Sequence, residues 1–505
     1  DPRCGYGKKQ ACQGREAPER AAKSVSPVRT RFWAAFFLRI AFFLRYFMKS
    51  YDLGSEKIGR LVRHFAVPCV ISMLVAALYN IVDQIFIGWS SAGAAGNAAT
   101  NIVYPFTVLA LGLALLVGDG EAAMFSLALG EKNNEKADRC VGSGFSFLVV
   151  LSVLLCALGF LFKKQILGIF GANPNEKVCY DFADQYFTVI CMGLPFYMIG
   201  QGMNGAIRAD GSPKFAMACT LAGAFSNLVL DPVFIFVFDM GVKGAAVATV
   251  IGQVLTFAMS IAYIFRSKNF HINLKSMKPD FFLLGRICFI GAASLIVQLS
   301  IVIVIAVNNN LLSRYGYETF ASTGVAFGSV VPLAVVGIVM KVFGIVISVV
   351  IGISLGGQPI IGFNMGAGNS ARVKETVRVV LRLVLAIGAA VFLIFEFLPD
   401  MVISIFGKGN SPEYMEYARL CVRIFLSGII MTCFIKSTSI ILQSIGKSGK
   451  STLLALLRDV IIFVPSSIIL ATVSQNIVTM LWSALISDAV SFVVAVIFLR
   501  AEMKK

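Results

Sequence analysis

Four oxygen-bearing side chains stand in stretches otherwise fit for lipid: Asp83 in YNIVDQIFIG, Asn227 and Asp231 in FSNLVLDPVF, and Thr249 in GAAVATVIG. Two carboxylates, an amide and a hydroxyl supply hard oxygen ligands, a set suited to a proton or to a small cation such as Na⁺. Asn227 and Asp231 are spaced i,i+4 and so share one helical face. Counted from the ends of their apolar runs at about 1.5 Å per residue, all four fall at about the same depth. Two carboxyls brought together away from water cannot both stay ionised at low cost, so a proton held between them becomes a load to be taken up and released. The competing reading is a hydrogen-bonded network that only packs helices together.

A charged side chain inside a bilayer costs roughly 2.5–3.5 kcal/mol or more, which makes the remaining intramembrane polar groups candidates as well. In the first half these are Asn80, Asp119 and Glu121, which serve either a cavity or the inner end of a helix. In the second half they are Lys341, Lys436, Arg458, Asp459 and Asp488. Lys436 lies ten residues before Gly446 and Asp459 ten after Gly449, so equal depth on consecutive helices predicts a structural ion pair. Two prolines are hinge candidates. Pro68 lies 15 residues before Asp83, and Pro232 directly follows Asp231. Each removes one helical hydrogen bond and permits a bend, although prolines also occur in membrane helices that do not move.

The elements that position these residues follow from composition. The 505 residues are 57% hydrophobic and 14% charged, with a mean hydropathy of +0.82. Soluble domains carry about 25% charged residues. Apolar windows of about 20 residues, the length a bilayer requires, recur along the chain. Twelve predicted spans follow, at 65–88, 98–129, 140–162, 180–207, 213–238, 244–265, 287–312, 332–365, 373–397, 418–445, 452–472 and 477–499. The expected fold is an all-α integral membrane protein of two six-helix bundles, related by a pseudo-two-fold axis along the membrane normal.

The net charge of +17 does not form a basic domain, which argues against nucleic acid as a partner. Lys and Arg lie mostly between spans. One side collects Lys132, Lys136, Arg139, Arg208, Lys214, Arg266, Lys268, Lys275, Lys278, Arg372, Lys374, Lys447, Lys450, Lys504 and Lys505. The other side holds the minority Lys163, Lys164, Lys177, Lys243, Arg314 and Lys408. The basic side is expected to be cytoplasmic, with both termini on it and the protein in the plasma membrane. The two histidines, His64 and His271, flank spans, and the eleven cysteines form no CxxC pair. No metal centre beyond a possible Na⁺ site, no catalytic residues and no cofactor are expected.

Three anchors repeat in order. Ser126–Asn133 (SLALGEKN) matches Gly362–Asn369 (GFNMGAGN), and Ile166–Asn175 (ILGIFGANPN) matches Val402–Ser411 (VISIFGKGNS), both at a shift of 236. Ala206–Lys214 matches Ser444–Ser451 at a shift of 238. Six spans per half make the halves parallel repeats, an arrangement that leaves a cavity between two bundles and suits alternating access. The expected organisation is a lobe over 48–266, a cytoplasmic joining loop over 267–286 and a second lobe over 287–505. Residues 1–47 are basic and then aromatic with Arg31, Arg39 and Arg45 interrupting the apolar run. They read either as an interfacial helix or as an extension ahead of a natural start at Met48, and the second reading is preferred.

These motifs together resemble the MATE (multidrug and toxic-compound extrusion) family, in the superfamily that includes oligosaccharide and lipid flippases. The similarity spans roughly 48–505 and rests on Pro68 with YNIVDQIFIG, SNLVLDPVF, GVKGAAVATVIG and GGQPIIGFNMGAGN. It implies two six-helix lobes around a cavity and export driven by a Na⁺ or H⁺ gradient. It also implies a first-lobe cation site whose family positions fall on Asp83, Asn227, Asp231 and Thr249, and a bending proline at Pro68. Another branch of the family uses a glutamate in its seventh helix, where this chain has Val297 and Gln298. The expected activity is antiport of amphipathic, often cationic, organic compounds by a monomer in contact with membrane lipids. A lipid-linked saccharide flippase is the alternative within the superfamily. A membrane-embedded enzyme is disfavoured, because no acid cluster or nucleophile–base motif occurs.

Overall fold

In the computed structural model the described residues are 52–504, apart from 173, 175, 268–269, 271, 274–275, 322–329 and 405–411. The N-terminal segment with Met48, together with Lys268, His271, Lys275, Lys408 and most of the second copy of the IFG anchor, lies outside them. Ser50–Lys505 forms one unit by internal contacts.

The long apolar runs fold as helices because every backbone polar group in lipid must be satisfied within its own segment. The first half contains α1 (Ile58–Trp89), α2 (Gly93–Gly130), α3 (Asn134–Leu161), α4 (Lys177–Ala209), α5 (Pro213–Pro232) and α6 (Gly241–Ile264). The second contains α7 (Phe281–Ala321), α8 (Val330–Gly366), α9 (Ser370–Phe397), α10 (Pro412–Phe425 and Ile429–Ser444), α11 (Ser448–Leu456 and Phe463–Ser474) and α12 (Ile477–Lys504). Among the described residues, ten helices are long and apolar enough to cross a membrane, and the two pieces of α10 make an eleventh span bent by 45°. The 33 residues of α4 complete the predicted set of spans by length rather than by apolarity. Most of the helices run past the apolar windows that locate them.

The tenth span differs from expectation, since an unbroken helix over 418–445 is interrupted at Leu426–Gly428. Tight i→i+3 turns replace helical bonds there, with Ile429 N donating to Leu426 O at 3.1 Å. Gly428 explains the site of the break, because a Cβ on it would stand 2.5 Å from Asp488 Oδ2. The bend lets α10 lie against the buried carboxylate of α12.

The repeat is geometrical as well as textual. Helices α3 and α9 begin and end 236 positions apart, at Asn134 and Ser370 and at Leu161 and Phe397. Their N-caps obey the same shift: Asn133 Oδ1 accepts from Lys136 N at 3.0 Å, and Asn369 Oδ1 accepts from Arg372 N at 3.2 Å. So do the left-handed residues before them, Lys132 at φ 57° and Gly368 at φ 70°. The SLALGEKN and GFNMGAGN motifs are therefore one helix–turn–cap unit used twice. In the third anchor the left-handed turn glycines are Gly211 and Gly446, so the structural shift there is 235 rather than 238.

The halves embrace through their leading helices: α1 packs along α8, and α7 along α2. Close approach at glycines makes this possible. A Cβ on Gly120 would lie 2.0 Å from Ile287 O, and one on its counterpart Gly356 would lie 2.5 Å from Ala66 Cα. Helices α2 and α8 touch each other at another equivalent pair, Gly130 and Gly366, whose Cβ atoms would lie 2.0 Å from Phe363 O and 2.1 Å from Leu127 O. At the same end Arg372 donates to Glu56 O at 2.6 Å and Asn364 to Leu53 O at 3.0 Å. The two lobes are thus latched together at the ends carrying Leu53, Gly130 and Gly366.

Candidate functional site

Helices α5 and α6 come together at Gly223 and Gly252, where a Cβ on Gly252 would stand 2.7 Å from Gly223 O. One turn beyond that contact, Asn227 of α5 faces Thr249 of α6. The Asn227 amide nitrogen donates to Asp231 Oδ1 at 3.0 Å and to Thr249 Oγ1 at 3.2 Å. Asp83, from α1, completes the group, its carboxyl within hydrogen-bonding reach of the Asp231 carboxyl. One buried oxygen on each acid, Asp83 Oδ1 and Asp231 Oδ2, has no hydrogen-bond partner among the described residues. Asn227 and Asp231 are buried, Asp83 and Thr249 partly so. The four residues selected from spacing and depth form one cluster.

Pro68 is buried in the first half of α1 next to Ala66 and Val70, the residues against which Gly356 and Gly352 of α8 pack. Pro232 ends the regular part of α5, and the chain widens into a π-helical turn over Val233–Val237, where Phe238 N reaches Val233 O at 3.0 Å. Such turns often sit beside functional residues, and this one directly follows Asp231.

A cavity of about 320 Å³ lies beside the cluster, lined by both halves. Asn227, Thr249, Asn80 and Tyr79 form part of its wall, while Asp83 and Asp231 stand behind that wall. Asn80 turns its amide back onto Ala76 O at 2.7 Å. Asp119 reaches the cavity, pairs with Arg208 at 3.6 Å and accepts from Ser294 of α7 at 2.7 Å. Gln443 of α10 donates to Ser294 Oγ at 3.3 Å, which extends through the second half a polar chain that crosses between the halves at Ser294 and Asp119. Glu121, two positions on, points the opposite way, fully buried against Gly144 of α3 with both oxygens unpartnered among the described residues. The structure therefore separates two acids that the sequence left together.

In the second half Lys436 donates to Asp459 Oδ2 at 2.7 Å, the predicted pair. The pair is not isolated. Arg458 holds the other oxygen of Asp459 at 2.6 Å and Asp488 Oδ1 at 2.9 Å, and Thr432 donates to Asp488 Oδ2 at 2.6 Å. Lys341 is exposed on α8 and belongs to neither group. Arg208 was counted above among the loop charges, whereas it is buried in the last turn of α4 on the cavity wall. Its Nη1 donates to Asn204 Oδ1 at 2.7 Å, and that i,i+4 spacing was the available signal.

The model of the MatE family matches residues 68–233 and 305–469. The chain belongs to the MatE family. Within this MatE chain the matched ranges contain Pro68, Asp83, Asn227 and Asp231, and Thr249 falls outside them. The multidrug export protein MepA of Staphylococcus aureus (strain MSSA476) is 24% identical over 450 residues, covering 88% of this chain and 94% of that protein. MepA of Staphylococcus saprophyticus subsp. saprophyticus (strain ATCC 15305) is likewise 24% identical over 450 residues, with the same coverage. Among solved structures, a MATE in complex with MaL6 superposes with a TM-score of 0.82 at 22% identity, over 90% of this chain and 99% of that one. An outward-facing multidrug resistance MATE transporter of the MOP superfamily superposes at 0.80 and 22%, with the same coverage. The fold is the two-lobed, all-helical MATE fold.

Proposed function

We propose that this MatE protein is a secondary active antiporter of the plasma membrane that exports amphipathic, often cationic, organic molecules in exchange for inward-moving H⁺ or Na⁺. One observation carries the reading: a pair of facing carboxyls lies directly behind the wall of a cavity shared by both halves. The curated relatives are named as multidrug export proteins, which supports the same cargo class. Tyr79, Phe196 and Tyr197 on the wall give an organic cation aromatic faces to rest on.

Two facing carboxyls suit H⁺ as the coupled ion, because one proton can be shared between them. Asn227 donates its N–H to Asp231 and to Thr249 and so holds the acid in place. A proton shared by Asp83 and Asp231 satisfies carboxyl oxygens that otherwise lack a donor. Loading it changes the packing of α1 on α5, and α1 also runs along α8 of the other lobe. Ion occupancy then biases the lobes through differential affinity for the two arrangements. With the basic loops cytoplasmic, the latched ends face the cytoplasm, the cavity belongs to an outward-facing state, and Pro68 lies where α1 must bend to change partners.

The test is dye transport in proteoliposomes under separately imposed pH and Na⁺ gradients. Accumulation of cationic dyes driven by the pH gradient alone is expected. Accumulation under the Na⁺ gradient alone would transfer the site to Na⁺, and accumulation under neither would refute antiport.

A further inference from the structure

The wall of the cavity carries three acidic or basic side chains among the described residues: Asp119, Arg208 and Lys436. The first two neutralise each other on the first lobe. Lys436, on the second lobe, is placed differently. Its ammonium has three N–H donors, and Asp459 Oδ2 at 2.7 Å is its one protein partner among the described residues.

The carboxylate behind Lys436 does not depend on it alone. Asp459 Oδ1 is held by Arg458 at 2.6 Å, and Arg458 is in turn balanced by Asp488. Both acids are nearly inaccessible, with side chains 5% and 2% exposed, so a cavity ligand meets the lysine and not its counter-ions. Lys436 can therefore turn one or two N–H groups toward the cavity while Asp459 remains paired. An ordinary buried ion pair has no such freedom, since moving one partner strands the other.

We propose that Lys436 is an anion subsite, which lets the cavity accept amphipathic molecules bearing a carboxylate alongside an aromatic or cationic body. The acid docks on the second lobe, and the ring system lies against Tyr79, Phe196 and Tyr197 of the first. Such a ligand spans both lobes through contacts of different kind, and separation of the lobes loosens the charge-assisted bond. This inference rests on the reading of the cavity as the cargo site.

The probes are a rhodamine carrying a free benzoic acid and its methyl ester, which share the cationic ring system and differ only in the anion. Binding of each to the purified full chain is read by fluorescence polarisation. The wild-type protein is expected to bind the acid roughly tenfold more tightly than the ester, the scale of one hydrogen bond to a charged group. In Lys436→Gln that ratio collapses toward one, and in Lys436→Arg it survives. A ratio near one in the wild-type protein, or a ratio unchanged in Lys436→Gln, overturns the anion subsite. Binding of neither dye to the wild-type protein overturns the cargo reading of the cavity and the subsite with it. A wild-type ratio near one overturns the subsite even if a variant does not fold, because the alteration is then in the ligand, and Lys436→Arg against Lys436→Gln separates Lys436 from Arg208 on the same wall.

Discussion

At the scale of single residues, the chain holds its intramembrane charges in two unlike ways. On the first lobe Asp83 and Asp231 face each other with no basic side chain paired to them among the described residues, whereas Asp459 and Asp488 on the second are each matched by a base. On the proposed reading the first arrangement changes occupancy and the second persists. The asymmetry makes the second group predictable in detail. Asp459→Asn deprives both Lys436 and Arg458 of a partner, so its loss of stability falls in the range of about 3–5 kcal/mol for breaking a buried pair. Lys436→Gln leaves Asp459 on Arg458 and costs less. Thermal unfolding in detergent checks the order, and the double variant is expected to lose less than the sum of the two. Equal losses, or strict additivity, would contradict the network.

At the scale of elements, glycines decide where helices meet. A Cβ on Gly291 would lie 1.7 Å from Leu116 O at the crossing of α7 with α2, whereas one on Gly285, in the same helix, meets nothing within 4 Å. Gly291→Ala is therefore expected to lower stability by about 1–3 kcal/mol through overpacking, while Gly285→Ala is neutral or stabilising by up to about 1 kcal/mol through helix propensity. Melting temperatures of the two variants in one detergent separate the effects. These contacts also show what the sequence could express. Helix number and the duplication were legible, since apolar length and turn chemistry are local properties: Asn133 and Asn369 cap the same way in both halves. The cluster of Asp83, Asn227, Asp231 and Thr249 was legible because depth along a helix is countable. Azimuth is not countable across helices, so Asp119 and Glu121 could not be assigned to cavity and interior. The break in α10 was hidden because its cause is the approach of Asp488 from α12, 60 positions later than Gly428 by subtraction. Arg208 was read as a loop charge because α4 runs on past its apolar window to Ala209.

At the scale of the whole molecule, the two lobes are joined by the reciprocal packing of α1 on α8 and α7 on α2, and latched at one end by Arg372, Asn364 and the Gly130–Gly366 contact. On the proposed reading such an assembly moves by changing which end is latched. The same α1 that carries an acid of the first-lobe cluster also forms the seam with the other lobe, so the proposed ion site and the lobe arrangement share one element. The most direct test of that link is gradient-driven dye transport in proteoliposomes by the wild-type protein, Asp83→Asn and Asp231→Asn, each reconstituted to equal density. The account predicts that both variants still bind dye but lose at least about nine-tenths of gradient-driven accumulation, a tenfold or greater effect. Accumulation at the wild-type rate by either variant would contradict the claim that these two carboxyls couple ion entry to export.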